Sequence, residues 1–430
     1  MAGNNLHTDA VPRIVVTGVG IVSPIGIGKE AFWDSLSQGV SGIQADSNIS
    51  GHPLGAKVNE FDPVAHIYQK KFIRVMPREV QLGVAAASMA MKDAGLERGD
   101  LDPYRIGVEF GASHISTSAE DLLDAARGLK TVVDPERFAS QFGSANMDQI
   151  GPLWLIKQLP NMPACHVAME HDARGPNNTI TSSESSAILA LAEAVRTIER
   201  GAADVMIVGA CSSHFDPVEW TRVTTYEQLS QESDPDRACR PFDLNRSGTV
   251  MGEGAGAFII ERYEHAMARG ATIYGEVLGV GAGCDGAGLE NRRQGTGLVR
   301  AIEHALRRSQ LTPQHLGHIN AHGKGTIIDD LTEARAYHRV LGSVAETIPV
   351  TALKSYFGHF DAGAGAVELV GSILALRHRL IPHTLNYRTP DPECRLKIVR
   401  GEPRRMTSDI ALSVNRTRMG QSAAAVIRAI

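Results

Sequence analysis

The stretch Thr179-Ile-Thr-Ser-Ser-Glu-Ser-Ser-Ala-Ile188 decides how this 430-residue chain folds. Its β-branched start predicts a short strand, and its serines predict a tight turn. Apolar residues then recur at helical spacing, at Ile188, Leu191, Val195 and Ile198. Glu184 therefore stands at a strand-to-helix corner, beside unpaired backbone N–H groups and the positive end of a helix dipole.

Taken alone, Glu184 is an ordinary acidic residue of a first helical turn. Five motifs that follow it change this interpretation: Ala203-Asp-Val-Met-Ile-Val-Gly-Ala210, Arg240-Pro-Phe-Asp243, Val250-Met-Gly-Glu-Gly-Ala-Gly256, Ala321-His-Gly-Lys-Gly-Thr326 and Lys354-Ser-Tyr-Phe-Gly-His359. In this order they resemble the ketosynthase (β-ketoacyl-acyl-carrier-protein synthase) branch of the thiolase superfamily. The resemblance begins at Arg13-Ile-Val-Val-Thr-Gly-Val-Gly20 and covers nearly the whole chain.

Strand-like apolar runs alternate with helical segments, which indicates an α/β architecture. These runs are Ile14–Val19, Ile106–Phe110, Val205–Val208, Ala257–Ile260, a run from Ile319, Ile348–Thr351, Ile410–Val414 and Ala424–Ile427. The resemblance implies a thiolase-like five-layered αβαβα sandwich of two halves, residues 1–260 and 261–430. The sequence itself shows no clear internal repeat.

The resemblance also implies a site. In ketosynthases a cysteine at this helix N-terminus takes the acyl chain, and two histidines and a lysine promote decarboxylation of a malonyl thioester. Counting back from Gly201-Ala-Ala-Asp-Val205 places Glu184 where that cysteine would be. A register slip by one would place Ser183 or Ser185 there instead.

The other catalytic residues that the resemblance implies are present at their motif positions. His322, His359 and Lys354 match the two histidines and the lysine, and Glu333 stands where the family has a glutamate thought to pair with that lysine. The family usually has threonine at the position of Lys324. Two imidazoles can hold a thioester carbonyl as it becomes an enolate, so this part of the machinery is predicted to be intact.

A second departure lies near the C-terminus, where the family has a flexible gate that completes the oxyanion hole. Here the segment is Asn415-Arg-Thr-Arg-Met-Gly-Gln421, and Thr417 replaces the gating aromatic residue. We expect Arg416, Thr417, Arg418 and Met419 to contact the substrate. Either arginine is expected to pair with Glu184 or with a carboxylate of the substrate.

A carboxylate cannot replace a thiolate without penalty, because an acyl group on Glu184 would be a mixed anhydride and would hydrolyse readily. The sequence therefore favours a non-elongating decarboxylase of carrier-bound β-carboxyacyl groups, with Glu184 as a placeholder or an acid. Two alternatives stay open. One is a non-catalytic subunit similar to the chain-length factors, and the other is an unusual condensation or acyl transfer with Glu184 as general base.

Composition limits the partners. The net charge of -5 gives no basic surplus for nucleic acid, and Gly18-Val-Gly20 lacks the third glycine of a dinucleotide fingerprint. The five cysteines form no CxxC pair, so neither a metal nor another cofactor is predicted.

The resemblance implies docking of an acyl carrier protein and a homodimer, or a heterodimer with a ketosynthase. Lys70, Lys71 and Arg74 could form a basic docking patch, although they could equally be an ordinary solvated face. Residues Met1 to Pro12 do not resemble a signal peptide, and no stretch is apolar enough to span a membrane, so the sequence predicts a cytoplasmic protein.

Overall fold

The computed structural model describes residues 12–45, 54–115, 118–127, 129, 134–286 and 294–430. The prediction of the cellular location used Met1 to Pro12, and residues 1–11 of this segment lie outside the described ranges. No helix within these ranges is both long and apolar enough to cross a membrane.

The strands, in chain order, are β1 Ile14–Ser23, β2 Gly26–Ile27, β3 Gln44–Ala45, β4 Leu54–Gly55, β5 Ile106–Ala112, β6 Asn177–Thr181, β7 Val205–Ser213, β8 Glu253–Arg262, β9 Gly275–Cys284, β10 His318–Asn320, β11 Pro349–Thr351, β12 Leu380–Ile381, β13 Lys397–Ile398, β14 Arg404–Arg405, β15 Ile410–Arg416 and β16 Gln421–Arg428. All eight predicted strand segments are confirmed.

The α-helices are α1 Lys29–Gln38, α2 Pro63–His66, α3 Arg78–Asp93, α4 Ala119–Arg127, α5 Pro135–Gln141, α6 Trp154–Gln158, α7 Met162–His171, α8 Ser186–Glu199, α9 Pro217–Thr224, α10 Pro235–Ala238, α11 Tyr263–Ala268, α12 Thr296–Arg308, α13 Ile327–Leu341, α14 Lys354–Phe357 and α15 Asp361–His378. Short 3-10 turns cover Lys70–Val75, Pro103–Arg105, Met147–Gln149, Ser183–Ser185, Pro313–His315 and Gly342–Glu346, and Phe142–Asn146 forms a π turn.

One long sheet contains a repeated pattern of strand pairing. Its order is β13, β11, β10, β15, β16, β9, β1, β8, β7, β5 and β6. From β1 outwards the next two pairings are antiparallel and the last two parallel, and the same holds from β9 to β11. The two segments join through a short antiparallel contact between β1 and β9. The division proposed at residue 260 falls near the end of β8.

Helices lie on both sides of each segment. α8 and α15 contact each other and strands of both segments, whereas α3 covers β1 and β8, and α12 covers β9 and β16. The layers therefore run helix, sheet, helix, sheet, helix, which confirms the predicted five-layered sandwich. Because α8 and α15 are enclosed, their apolar residues form much of the core.

The glycines of the two central strands are needed for this packing. A Cβ atom on Gly20 would lie 2.0 Å from the carbonyl oxygen of Ala86 in α3, and one on Gly281 would lie 2.0 Å from that of Ala301 in α12. Gly18-Val-Gly20 thus allows a helix to approach a strand closely.

Candidate active site

The carboxyl ends of several strands from both segments meet at one place in the sandwich. Glu184 follows β6, His214 follows β7, His322 follows β10, Lys354 follows β11, and Asn415 lies near the end of β15. Residues far apart in sequence are therefore brought together by the topology. This is where parallel strands commonly place ligands and reactive groups.

Glu184 occupies the predicted corner between strand and helix. It lies in the 3-10 turn Ser183–Ser185, which leads directly into α8. Ser183 has a φ of 45°, a left-handed conformation that is unusual outside glycine and that directs the next side chain inward. The Glu184 side chain is 2% exposed. A buried carboxylate needs a partner.

Lys324 is the cation that meets Glu184. Its Nζ lies 3.0 Å from Glu184 Oε1 and 2.8 Å from Glu227 Oε2. Burial opposes the charge of this ammonium group, but Glu227 and Glu184 raise the pKa of Lys324 well above its ordinary value. The unusual lysine of the His-Gly-Lys-Gly-Thr motif is therefore the counterion of the unusual glutamate. We call Glu184, Lys324 and Glu227 the Glu184 cluster.

The predicted pairing of Glu184 with an arginine is wrong. Arg416 lies 3.0 Å from Asp285 Oδ2 and 3.1 Å from Asp329 Oδ1, and both its terminal nitrogens face these carboxylates. The Arg418 guanidinium lies 4.8 Å from the centre of the Tyr226 ring. Two carboxylates hold Arg416 because β15 ends with its side chain buried, and a lysine already fills the space beside Glu184.

The other two predicted substrate contacts lie in the turn between β15 and β16. The Thr417 amide donates to the Gln421 carbonyl over 2.8 Å, and the two side chains also bond to each other. Thr417 is buried, whereas Met419 is 47% exposed. The segment is a closed hairpin turn beside the site. Contact of Thr417 and Met419 with substrate stays a prediction.

Lys354 pairs with Glu368, not with Glu333. Its Nζ lies 2.5 Å from Glu368 Oε1 and donates to the His322 carbonyl over 2.8 Å. The second oxygen of Glu368 accepts from the Asn415 amide over 2.7 Å. Lys354 and Glu368 are both fully buried, so the pair is complete within the protein. We call Lys354, Glu368, His322 and Asn415 the Lys354 cluster.

Glu333 has a different structural task. Its two oxygens accept from the backbone amides of His322 and Gly323, over 2.7 and 2.8 Å, and one of them also accepts from the Tyr337 hydroxyl over 2.6 Å. Burial raises the pKa of the Glu333 carboxyl. The expected pairing with the lysine is therefore wrong, and Glu333 instead supports the loop that presents His322.

His322 is held as a neutral imidazole with a defined orientation. Burial lowers the pKa of His322 well below its ordinary value, and the ammonium groups of Lys354 and Lys324 lower it further. Its Nδ1 lies 3.3 Å from Lys354 Nζ, which can only donate. This contact assigns the proton of the neutral ring to Nε2. His322 can thus donate one hydrogen bond to a substrate.

His359 lies between two carboxylates. Its Nε2 is 3.6 Å from Glu184 Oε1 and 3.4 Å from Asp361 Oδ1. Burial lowers the pKa of His359, Lys324 lowers it further, and the two carboxylates oppose this change. The ring centres of His359 and His322 are 6.4 Å apart, with the planes nearly perpendicular.

Sequence reasoning missed four members of this site. They are His214, Glu227, Asp361 and Glu368, all with buried side chains. Asp361 gave a signal that could have been used, since it interrupts an otherwise apolar and glycine-rich run two residues after His359. Lys324 was visible as a departure from the family motif, but its partner was not.

Two groups of side chains have the chemistry to hold a cation. In each, the ligand atoms lie within 4.8 Å of one another: Glu184, Glu227 and His359 form one group, and His214, Glu219 and Asp361 the other. Basic side chains already form ion pairs with carboxylates of both groups. Lys324 pairs with Glu184 and Glu227, and Arg222 pairs with Glu219. The donors therefore fit an internally paired network better than a metal centre.

The buried thiols do not supply a replacement nucleophile. Burial raises the pKa of Cys211 well above its ordinary value, and it raises the pKa of Cys239 and Cys394 to about 12. A thiol with so high a pKa is scarcely ionised at neutral pH. The described centre thus has hydrogen-bond donors for a carbonyl, and it has a carboxylate at the helix N-terminus.

Comparison with known proteins identifies the architecture. The sequence model of the beta-ketoacyl synthase N-terminal domain matches residues 12–266, and that of the C-terminal domain matches residues 274–388. A putative polyketide beta-ketoacyl synthase 1 of Streptomyces cyaneus is 35% identical over 412 residues, which are 94% of each chain. A 3-oxoacyl-[acyl-carrier-protein] synthase 2 of Synechocystis is 34% identical, over 93% of this chain and 94% of the relative.

Solved structures agree with this assignment. A beta-ketoacyl synthase from Burkholderia phymatum superposes with a TM-score of 0.85 at 29% identity, covering 97% of this chain and 100% of that one. A type II polyketide ketosynthase in complex with its acyl carrier protein gives 0.83 at 30% identity, covering 97% and 99%. The ishigamide ketosynthase/chain length factor gives 0.85 at 28% identity, covering 98% and 100%.

Proposed function

The chain belongs to the β-ketoacyl synthase family, and we propose that it decarboxylates a β-carboxyacyl thioester on an acyl carrier protein without extending an acyl chain. The observation that supports this proposal is the buried pair of Glu184 and Lys324, 3.0 Å apart, at the N-terminus of α8. In this proposal Glu184 stands in for the acyl-accepting cysteine of the family. A carboxylate that is paired with a lysine is a poor acyl acceptor.

The Lys354 cluster supports the enolate half of the reaction. His322 is neutral and has Nε2 free to donate, because Lys354 occupies its Nδ1 side. His359 can supply a second donor, because its ring centre lies 6.4 Å from that of His322. Two donors aimed at one thioester oxygen would stabilise the enolate that forms as carbon dioxide leaves.

The charge of Lys324 reduces an electrostatic repulsion that would oppose this reaction. An isolated carboxylate at position 184 would repel the carboxylate of a malonyl group. The Lys324 ammonium group lies between Glu184 and Glu227 and reduces their combined negative charge. In this proposal Glu184 passes a proton to the enolate after it has itself received one.

The proposed partners are an acyl carrier protein and a second ketosynthase-like chain. β6 ends the long sheet, so one of its edges has no partner strand within the described part of the chain. The helix α6 packs on α7, which in turn contacts β6. Four apolar side chains of the 153–159 segment are exposed, namely Leu153, Leu155, Ile156 and Leu159. An open strand edge beside apolar surface suits a dimer interface.

The proposed carrier-docking patch keeps some support. Lys70, Lys71 and Arg74 lie together on the 3-10 turn Lys70–Val75, and all three are wholly or partly exposed. A basic surface of this kind suits an acidic carrier protein.

The non-catalytic alternative has a specific observation in its favour. One close structural neighbour is a ketosynthase/chain length factor, and Glu184, Lys324, His322 and His359 are each at most 2% exposed. A centre that stays closed would not turn over. An acyl transfer with Glu184 as general base is the third possibility, because the site keeps this carboxylate beside His359.

The test is to incubate the purified protein with malonyl-acyl-carrier-protein and to follow the mass of the intact carrier. We expect loss of carbon dioxide with the parent protein, and a loss of rate of about 100-fold or more with His322→Ala. His315→Ala is a matched control, because His315 is an exposed histidine of the same half. A sister ketosynthase that is active under the same conditions serves as the positive control. No turnover by the parent under these conditions would overturn the proposal in favour of a partner subunit.

A further inference from the structure

Decarboxylation in this site requires a proton that the substrate does not bring. When a malonyl thioester loses carbon dioxide, the electron pair of the broken C–C bond forms an enolate, and one proton must be added to give the acetyl thioester. Glu184, His322 and His359 are each at most 2% exposed, so bulk water does not reach them directly. A route for one proton per turnover is needed.

A chain of three buried groups leads away from Glu184. His359 Nε2 lies 3.6 Å from Glu184 Oε1 and 3.4 Å from Asp361 Oδ1, and the other oxygen of Asp361 lies 3.3 Å from His214 Nε2. The rings of His214 and His359 are 5.9 Å apart. One carboxylate thus bridges two imidazoles.

The far end of this chain, His214, is 1% exposed and lines a small recess of the protein. A small recess lined by Ser113, Ser213, His214 and Glu219 shares several walls with an open cavity of about 580 Å³. Both basic and acidic side chains line that cavity, including Lys57, Arg78, Glu79 and Glu219. The recess is the route by which water of this polar cavity would reach His214.

We propose that His214 and Asp361 form a proton relay from this cavity to His359 and Glu184. The idea rests on the proposed decarboxylation. His214 passes its Nε2 proton to Asp361 Oδ2. The Asp361 carboxyl group then turns and gives this same proton to the Nε2 lone pair of His359. His359 passes it to the Glu184 carboxylate, which protonates the enolate carbon and is a carboxylate again, and cavity water returns a proton to His214.

The charges around the bridge fix its resting state, in which Asp361 is ionised and holds a proton only during transfer. Burial opposes the charge of both groups, yet Asp361 raises the pKa of His214, and the two histidines hold the pKa of the Asp361 carboxyl well below its ordinary range. His214 is therefore the member that carries the proton at rest. The other charged or titratable groups that act on this bridge are Glu184, Glu219, Arg222, Tyr226, Glu227, His322, Lys324 and Asp329.

The three contacts are longer than ordinary hydrogen bonds, which have a donor–acceptor distance of about 2.8–3.0 Å. Catalytic hydrogen bonds are often long without substrate and shorten when it binds. Asp361 is able to serve both rings because it starts α15 with a φ of 44°, which turns its side chain back toward His359.

The kinetic test compares His214→Gln and Asp361→Asn with His114→Gln. His114 is an exposed histidine that lines the same cavity and lies 3.7 Å from Glu219, outside the bridge. We expect both bridge variants to lower kcat about tenfold or more, with KM nearly unchanged, while His114→Gln keeps the parent rate. The bridge variants should also lose the parent's dependence of kcat on pH. Added imidazole should restore part of the rate of His214→Ala.

Equal rates and pH profiles for the parent and His214→Gln would overturn the relay. A second measurement does not depend on turnover. Side-chain nitrogen NMR of the parent follows the titration of His214 and His359, and Asp361→Asn should move the midpoint of His214 to lower pH. If the parent does not decarboxylate, the proposed function fails. An unchanged His214 midpoint in Asp361→Asn shows separately that the bridge is absent.

Discussion

The Lys354 cluster and the Glu184 cluster lie side by side, yet they balance charge differently. Lys354 shares its charge with one carboxylate, Glu368, whereas Lys324 lies between two, Glu184 and Glu227. The first cluster is neutral by count and closed by Asn415. The second has one carboxylate more than its cations. The difference is one of charge balance around the two lysines. Burial raises the pKa of Glu368 to about 7 although Lys354 opposes this change.

The largest effect is expected from breaking the neutral cluster. Lys354→Met leaves Glu368 buried without its cation, and removing one partner of a buried pair costs about 3–5 kcal/mol. Chemical denaturation should show this loss in the free energy of unfolding. The double variant Lys354→Met/Glu368→Leu should recover part of it. A loss below about 1 kcal/mol in the single variant would contradict the closed pairing.

Removing a carboxylate should separate the two clusters. Glu368→Gln leaves Lys354 without an anion, so we expect a loss of roughly 2–4 kcal/mol. Glu184→Gln leaves Lys324 with Glu227, and its cost should stay below about 1 kcal/mol, because a paired cation remains. Thermal and denaturant unfolding of both proteins measures the difference. Equal losses of unfolding free energy in the two variants would contradict the difference in charge balance between the two clusters.

Arg416 at the end of β15 and Arg418 in the turn after it are expected to differ in stability by an intermediate amount. Arg416→Ala breaks two buried ion pairs, with Asp285 and Asp329, and should cost about 3 kcal/mol or more. Arg418→Ala removes a contact with the Tyr226 ring that is worth about 0.5–1 kcal/mol. Unfolding measurements test the stability. Substrate affinity of Arg418→Ala tests the predicted contact of Arg418 with substrate, which a loss of affinity would support and an unchanged affinity would contradict.

The smallest effect is a pH dependence of stability. The pKa of His322 is lowered in the folded protein, so the unfolded chain binds a proton first as the pH falls below about 6.5. The folded state therefore loses stability on acidification, by up to about 1.4 kcal/mol per pH unit for this one group. His322→Gln should flatten this slope. An unchanged slope would indicate that His322 is charged in the folded state.

Much of the fold could be predicted because its signals are local or belong to ordered motifs. The strand that leads to Glu184, its turn and α8 follow from β-branched residues, serines and helical spacing. The repeated pairing of β1–β8–β7–β5–β6 and β9–β16–β15–β10–β11 left no clear repeat in the sequence. It is a repeat of backbone geometry, which many different apolar residues satisfy.

The site residues show the same contrast between signals that are local in the sequence and contacts that depend on packing. His322, His359 and Lys354 stand at motif positions, and the structure brings them together. Glu368 and Asp361 are ion-pair partners that only the packing of α15 brings into reach. Arg416 was given the wrong partner because sequence distance from Asn415 says nothing about Asp285 and Asp329. A charged residue in an unusual position predicts that a partner exists, but not which one.

The most direct test of the central claim offers the protein a choice between decarboxylation and chain extension. The purified protein, with an acyl carrier protein loaded with a short acyl group and a second carrier loaded with malonyl, is followed by intact mass of all three proteins. We expect acetyl carrier to accumulate, with the acyl carrier and the enzyme unchanged in mass. Formation of a lengthened 3-oxoacyl carrier, or of a stable acyl group on the enzyme, would contradict the account.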